Sequence, residues 1–94
     1  RKFDIAQRYY KRILENKPNA HDYLNAGHVE LCLSNNRYAV KLYALSYKQT
    51  GSFDTFLKML KDDIDELQEA GVDTDILPVI IDKMLYDSGD SEVK

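Results

Sequence analysis

The chain carries 94 residues with a formal net charge of −3, 44% hydrophobic residues and a single cysteine. That length makes one domain with a modest core, and a lone cysteine excludes an internal disulfide. An isoelectric point near 5.3 and dispersed basic residues argue against nucleic acid, while the longest apolar run, Ile76 to Ile81, is interrupted by Pro78 and far too short to span a bilayer.

The chain opens on Arg1-Lys2-Phe3, with no initiating Met and no signal-peptide pattern. It reads as an excised piece of a longer protein, with any targeting segment upstream. The first predicted helix runs from Phe3 to about Asn16. Its apolar residues come as pairs one turn apart, Ile5-Ala6, Tyr9-Tyr10 and Ile13-Leu14, a stripe wide enough for two neighbours. Pro18 disfavours helix at the residue before it, so the break falls near Lys17. Asn19 is a candidate N-cap for a second helix, Ala20 to Leu33. Ser34-Asn35-Asn36 turns the chain into a third helix, whose pairs Tyr38-Ala39, Leu42-Tyr43 and Leu45-Ser46 repeat the layout of the first. Gly51 suits a left-handed closing position there, and Ser52 can cap the next helix.

The fourth predicted helix, Phe53 to Ala70, has one apolar stripe of Phe53, Phe56, Leu57, Leu60, Ile64 and Leu67, and Gly71 closes it. The fifth runs from Ile76 to Tyr86. Asp75 is the preferred N-cap because Pro78 then falls in the first turn, where its missing N–H costs no bond. Residues 88–94 are Gly, Ser and charge and are expected to fray. Among the tyrosines, Tyr47 and Tyr86 are expected to be exposed.

The stretch from Asp22 to Tyr47 holds the most specific pattern. Tyr23, Ala26, Gly27 and Glu30 share one helical face. Gly costs about 1 kcal/mol relative to Ala inside a helix, so Gly27 implies a close helix contact, with Ala39 as its expected small partner. Together Tyr23, Gly27, Ala39 and Tyr43 resemble the tetratricopeptide repeat, whose pattern runs aromatic, apolar, Gly, Tyr, then Ala-x3-Phe and a closing Pro. Ala26 stands for the large apolar residue, Glu30 for the Tyr and Gly51 for the Pro. Ala6, Tyr10 and Pro18 repeat the second half of the pattern. Their offset of 33 residues is close to the family's spacing of about 34.

The resemblance covers residues 3–51. It implies an all-α, right-handed superhelix of about five helices. Residues 3–17 would be the second helix of a truncated repeat and 20–50 one full repeat. Residues 53–87 would be an atypical capping pair, similar in layout to the end modules of bacterial members of the family. It also implies peptide or protein capture on the concave face, which would present His21, Leu24, Asn25, His28, Leu31 and Cys32. Only Asn25 matches the residues with which the family grips a C-terminal carboxylate, so a mixed apolar groove suits an extended peptide or a helix better. The alternative is a purely structural cap or scaffold of a larger enzyme or transport component.

Charge is divided along the chain. Residues 1–50 hold nine Lys or Arg against four Asp or Glu, and residues 51–94 hold four against twelve. Solvated helix faces account for this, although the basic half would favour an acidic partner. The orphaned face of the first helix is expected to be sticky and to allow self-association. His28 and Cys32 lie one turn apart, but two ligands do not close a zinc site. The acidic run at Asp62, Asp63, Asp65 and Glu66 lacks the order of a calcium loop. No nucleophile elbow, phosphate loop or dinucleotide fingerprint is present. The expectation is therefore a non-catalytic interaction module without metal or cofactor.

Overall fold

A computed structural model describes residues 2–88. Every regular element among them is helical: α1 Lys2–Leu14, α2 Ala20–Cys32, α3 Asn36–Thr50, α4 Phe53–Asp62, α5 Ile64–Glu69 and α6 Leu77–Ser88, with one 3-10 turn at Thr74–Ile76. No helix among the described residues is long and apolar enough to cross a membrane. The frayed tail expected over 88–94 lies outside the described residues except for Ser88, the last residue of α6.

Local chemistry sets most of the ends. α1 ends at Leu14, two residues short of the expected Asn16, and Lys17, ahead of Pro18, takes a left-handed φ of 53°. Asn19 and Asp22 form a reciprocal capping box, each side chain accepting the other's backbone N–H at 2.9 Å. At the end of α2, Ser34 takes φ 63°. Ser34 N–H then reaches Leu31 O at 3.0 Å, and Asn35 N–H reaches Glu30 O at 2.8 Å. That is the Schellman closure, with serine where glycine is usual. Gly51 is left-handed with φ 71°, and Ser52 accepts Thr55 N–H as the cap of α4.

Two expectations about the C-terminal half are corrected. The single helix predicted from Phe53 to Ala70 breaks at Asp63 (φ −104°, ψ 4°), where the N–H bonds Leu60 O and Lys61 O. Six helices result instead of about five. The cap after Gly71 is Asp73, whose carboxylate accepts Asp75 N–H at 3.0 Å, rather than Asp75. Pro78 still lies in the first turn of α6.

α2 and α3 pack as a hairpin, with α1 against α2 and with α4 and α6 against α3. The buried cluster runs through Leu24, Ala39, Tyr43, Phe56, Leu60 and Met84. Full burial of one such side chain stabilises by about 1.5–3 kcal/mol. Gly27 is buried, and a Cβ there would meet the Tyr43 ring at 2.6 to 3.2 Å. The residue that needs the bare backbone is thus Tyr43 and not Ala39. Ala39 is itself fully buried. Tyr47, expected at the surface, is half-buried with its ring against Phe53 and Phe56; Tyr86 is 72% exposed as expected.

Candidate functional site

Two of the six residues expected to line a concave binding face lie in the core. Leu24 and Leu31 belong to the core, 0% and 5% exposed, so neither is available to a partner. Leu24 and Leu31 join the core cluster that α2 shares with α3 and with residues of the C-terminal half. Leu31 and Cys32 share a small cavity with Ala70, Gly71 and Val72. Asn25 is half-buried and lies near the Tyr10 hydroxyl of α1. Burial raises the pKa of Tyr10, an effect that the nearby Asn25 amide partly offsets. His21 alone of the six is exposed.

His28 is the middle of a buried hydrogen-bond chain. Its Nδ1 lies 2.7 Å from the Tyr43 hydroxyl and its Nε2 2.9 Å from Asp63 Oδ2. A carboxylate only accepts, so Nε2 carries the proton and Nδ1 accepts from Tyr43 in the neutral ring. Burial lowers the pKa of His28, and the neighbouring carboxylates of Asp63 and Glu66 oppose it. Burial likewise pushes the phenol of Tyr43 up, so it stays protonated. The chain joins α2, α3 and the α4–α5 break. It explains why α4 stops where no Gly or Pro requires it. Sequence reasoning weighed His28 with Cys32 for metal. No group of three or more His, Cys, Asp or Glu among the described residues is placed to hold one.

A second polar cluster surrounds Glu30, 3% exposed. Its carboxylate accepts from Gln7 Nε2 at 3.0 and 3.2 Å and from Asn35 Nδ2 at 2.7 Å. Glu30 stands at the position where the repeat pattern has Tyr, and here it ties α1 to the hairpin turn. Asn35 spends its side chain on this bond and makes no cap bond for α3. Ser46, fully buried, donates to Ala20 O at 2.8 Å.

The open surface lies elsewhere. A groove of about 530 Å³ runs between the start of α3 and the length of α6. Buried Val40 and Ile80 with half-buried Ile76 form its apolar floor, and Arg37, Val79, Asp82, Lys83, Tyr86 and Asp87 its more exposed lining. Val79 and Tyr86 are 55% and 72% exposed. The spacing of 79, 82, 83 and 86 puts these residues on one helical face. That spacing is legible in the sequence, but it does not show that the face stays uncovered.

Comparison with protein-family models, with curated proteins and with solved structures finds no match for this chain.

Proposed function

We propose that this chain is a non-catalytic protein-interaction module built as a short tetratricopeptide-like stack, with the α2–α3 hairpin as its repeat and α4 to α6 as the terminal unit. The observation that carries the reading is the α3–α6 groove, whose apolar floor lies beside the exposed Val79 and Tyr86. A trough of that kind, rimmed by both signs of charge, suits the apolar face of an amphipathic helix. The repeat assignment rests on fold-level analogy and is supported by Gly27 lying under the Tyr43 ring within the hairpin. The groups that chemistry would draw on are otherwise engaged. Ser46 donates its hydroxyl to backbone, and burial pushes the Cys32 thiol up, away from the reactive thiolate.

A second reading, a structural cap, is favoured by the bond from Asp63 to His28 that seals the α4–α5 break over α2. Selection of displayed amphipathic helices against the wild-type chain, with counter-screening against Val79→Glu, separates the two. The interaction reading expects helices that lose at least tenfold in affinity on Val79→Glu and none on Lys58→Glu, on the far side of α4. Failure to select any helix, or equal binding to Val79→Glu, favours the cap.

A further inference from the structure

The outer face of α3 carries charge of one sign. Its exposed charged residues are Arg37, Lys41 and Lys48, and the helix holds no Asp or Glu. None of the three has an ion-pair partner among the described residues. The arrangement is locally unfavourable. Arg37 and Lys41 stand one turn apart and repel. Arg37 also sits in the first turn, at the positive end of the helix dipole, with no carboxylate there to offset it. An anionic partner relieves both.

Apolar residues alternate with the cations. Tyr38, Lys41, Leu45 and Lys48 are spaced three, four and three residues apart, the spacing of a helix–helix seam. Tyr38 and Leu45 are 43% and 40% exposed and stand about 10 Å apart along the axis. Each borders a shallow hollow. One, of about 500 Å³, is lined by Arg37, Tyr38 and Lys41 with the turn at Ser34, Asn35 and Asn36. The other, of about 340 Å³, is lined by Tyr23 of α2 with Leu45, Lys48 and Gln49. Every charged residue lining either hollow is positive. The α3–α6 groove differs in holding both signs, and it meets this face at Asn36 and Arg37.

We propose that the outer face of α3 docks an acidic amphipathic helix of a partner protein, a second interaction surface that does not depend on the groove. Apolar side chains of the partner enter the hollows beside Tyr38 and Leu45, and its carboxylates meet Arg37, Lys41 and Lys48. The seam spacing selects a helix, and the uniform charge selects an acidic one. A lipid surface is a poorer match. An interfacial helix sinks its apolar face by about 5–10 Å, whereas Tyr38 and Leu45 are more than half covered where they stand. Because the attraction is between surface charges, it weakens with salt.

Selection from displayed helices of about 21 residues tests the surface. Apolar residues are fixed at alternate seam positions, and Glu, Asp, Lys and Arg are varied at the others. The expected result is enrichment of Glu and Asp, with affinity at least tenfold lower on Lys41→Glu or Lys48→Glu, lower in high salt and unchanged on Val79→Glu. Lys41→Glu turns a repulsive pair into an attractive one, and circular dichroism checks that the fold is kept. Leu45→Ala adds no charge and should weaken binding severalfold; undiminished binding reduces the contact to charge alone and overturns the seam. Enrichment of Lys and Arg, or of no helix, overturns the proposal. So does sedimentation of the chain with phosphatidylserine vesicles when no helix is enriched, which assigns the face to a membrane. A concentration-dependent dimer lost on Lys41→Glu, again with no helix enriched, assigns it to a second copy and overturns it as well. Helices that lose affinity on Val79→Glu but not on Lys41→Glu belong to the groove. They keep the function proposed above and sink only this second surface.

Discussion

Helices α1 and α6 flank the same hairpin and are held to it by different means. α1 brings no buried side chain. It is held by half-buried side chains such as Ala6, Tyr10 and Ile13 and by the Gln7 bonds to Glu30. α6 brings Leu77, Ile80 and Met84, each at most 4% exposed, into the cluster that includes Tyr43 and Phe56. Apolar burial is non-directional and scales with area. Polar bonds exchange for bonds to water and leave about 0.5–1.5 kcal/mol each. The comparison teaches that the C-terminal joint should unfold with the whole domain, whereas α1 should open on its own first.

The strongest way to break that comparison is a large-to-small substitution on each helix. Met84→Ala should cost about 2–5 kcal/mol and lower the melting temperature of the whole domain. Tyr9→Ala, on the exposed face of α1, should stay within about 0.5 kcal/mol. Equal losses from the two would remove the distinction. Next, Gly27→Ala drives a methyl into the Tyr43 ring, which is 1% exposed and hydrogen-bonded to His28. Overpacking of about 1–3 kcal/mol should exceed the gain in helix propensity of about 1 kcal/mol, and chemical denaturation reads the net sign.

Glu30→Ala removes the acceptor shared by Gln7 and Asn35 and should cost about 1–3 kcal/mol. Hydrogen exchange should show the loss of protection concentrated in α1, with α6 unchanged. Uniform loss across all helices would contradict the graded picture.

A pH-dependent effect belongs to the hairpin between the joints. The folded pKa of His28 lies below its ordinary value, so the neutral ring is the stable form. Its contribution is fully present above about pH 6.5 and is lost as pH falls through the lowered folded value. Denaturation midpoints of wild type and His28→Asn, compared from neutral to mildly acidic pH, should converge on acidification. The smallest effect should be a gain: Ser34→Gly relieves a left-handed serine at φ 63° and should stabilise by up to about 1 kcal/mol, read as a raised denaturation midpoint.

The helix ends were legible where the cause is local. Asn19 with Asp22, Lys17 before Pro18, and Thr50-Gly51-Ser52 act within four residues, and the chain order alone states them. The break at Asp63 was not legible. The fourth helix carries one continuous apolar stripe with no Gly or Pro, and the side chain at its break is held by His28, 35 residues away. Burial on the face expected of α2 was hidden for the same reason. Leu24 and Leu31 lie on a face that helical period alone leaves open, and only the tertiary packing into the shared cluster buries them.

By itself, then, the sequence determined that the chain is helical, where most helices begin and end, and that Gly27 marks a close helix contact. Tertiary structure alone decided which neighbour that is, that Glu30 and His28 are spent inside the fold, and that the open apolar surface lies between α3 and α6. Capping and turn preferences are set by bonds a few residues long. Burial depends on which distant segments meet, and residue periodicity marks an apolar face without naming what covers it.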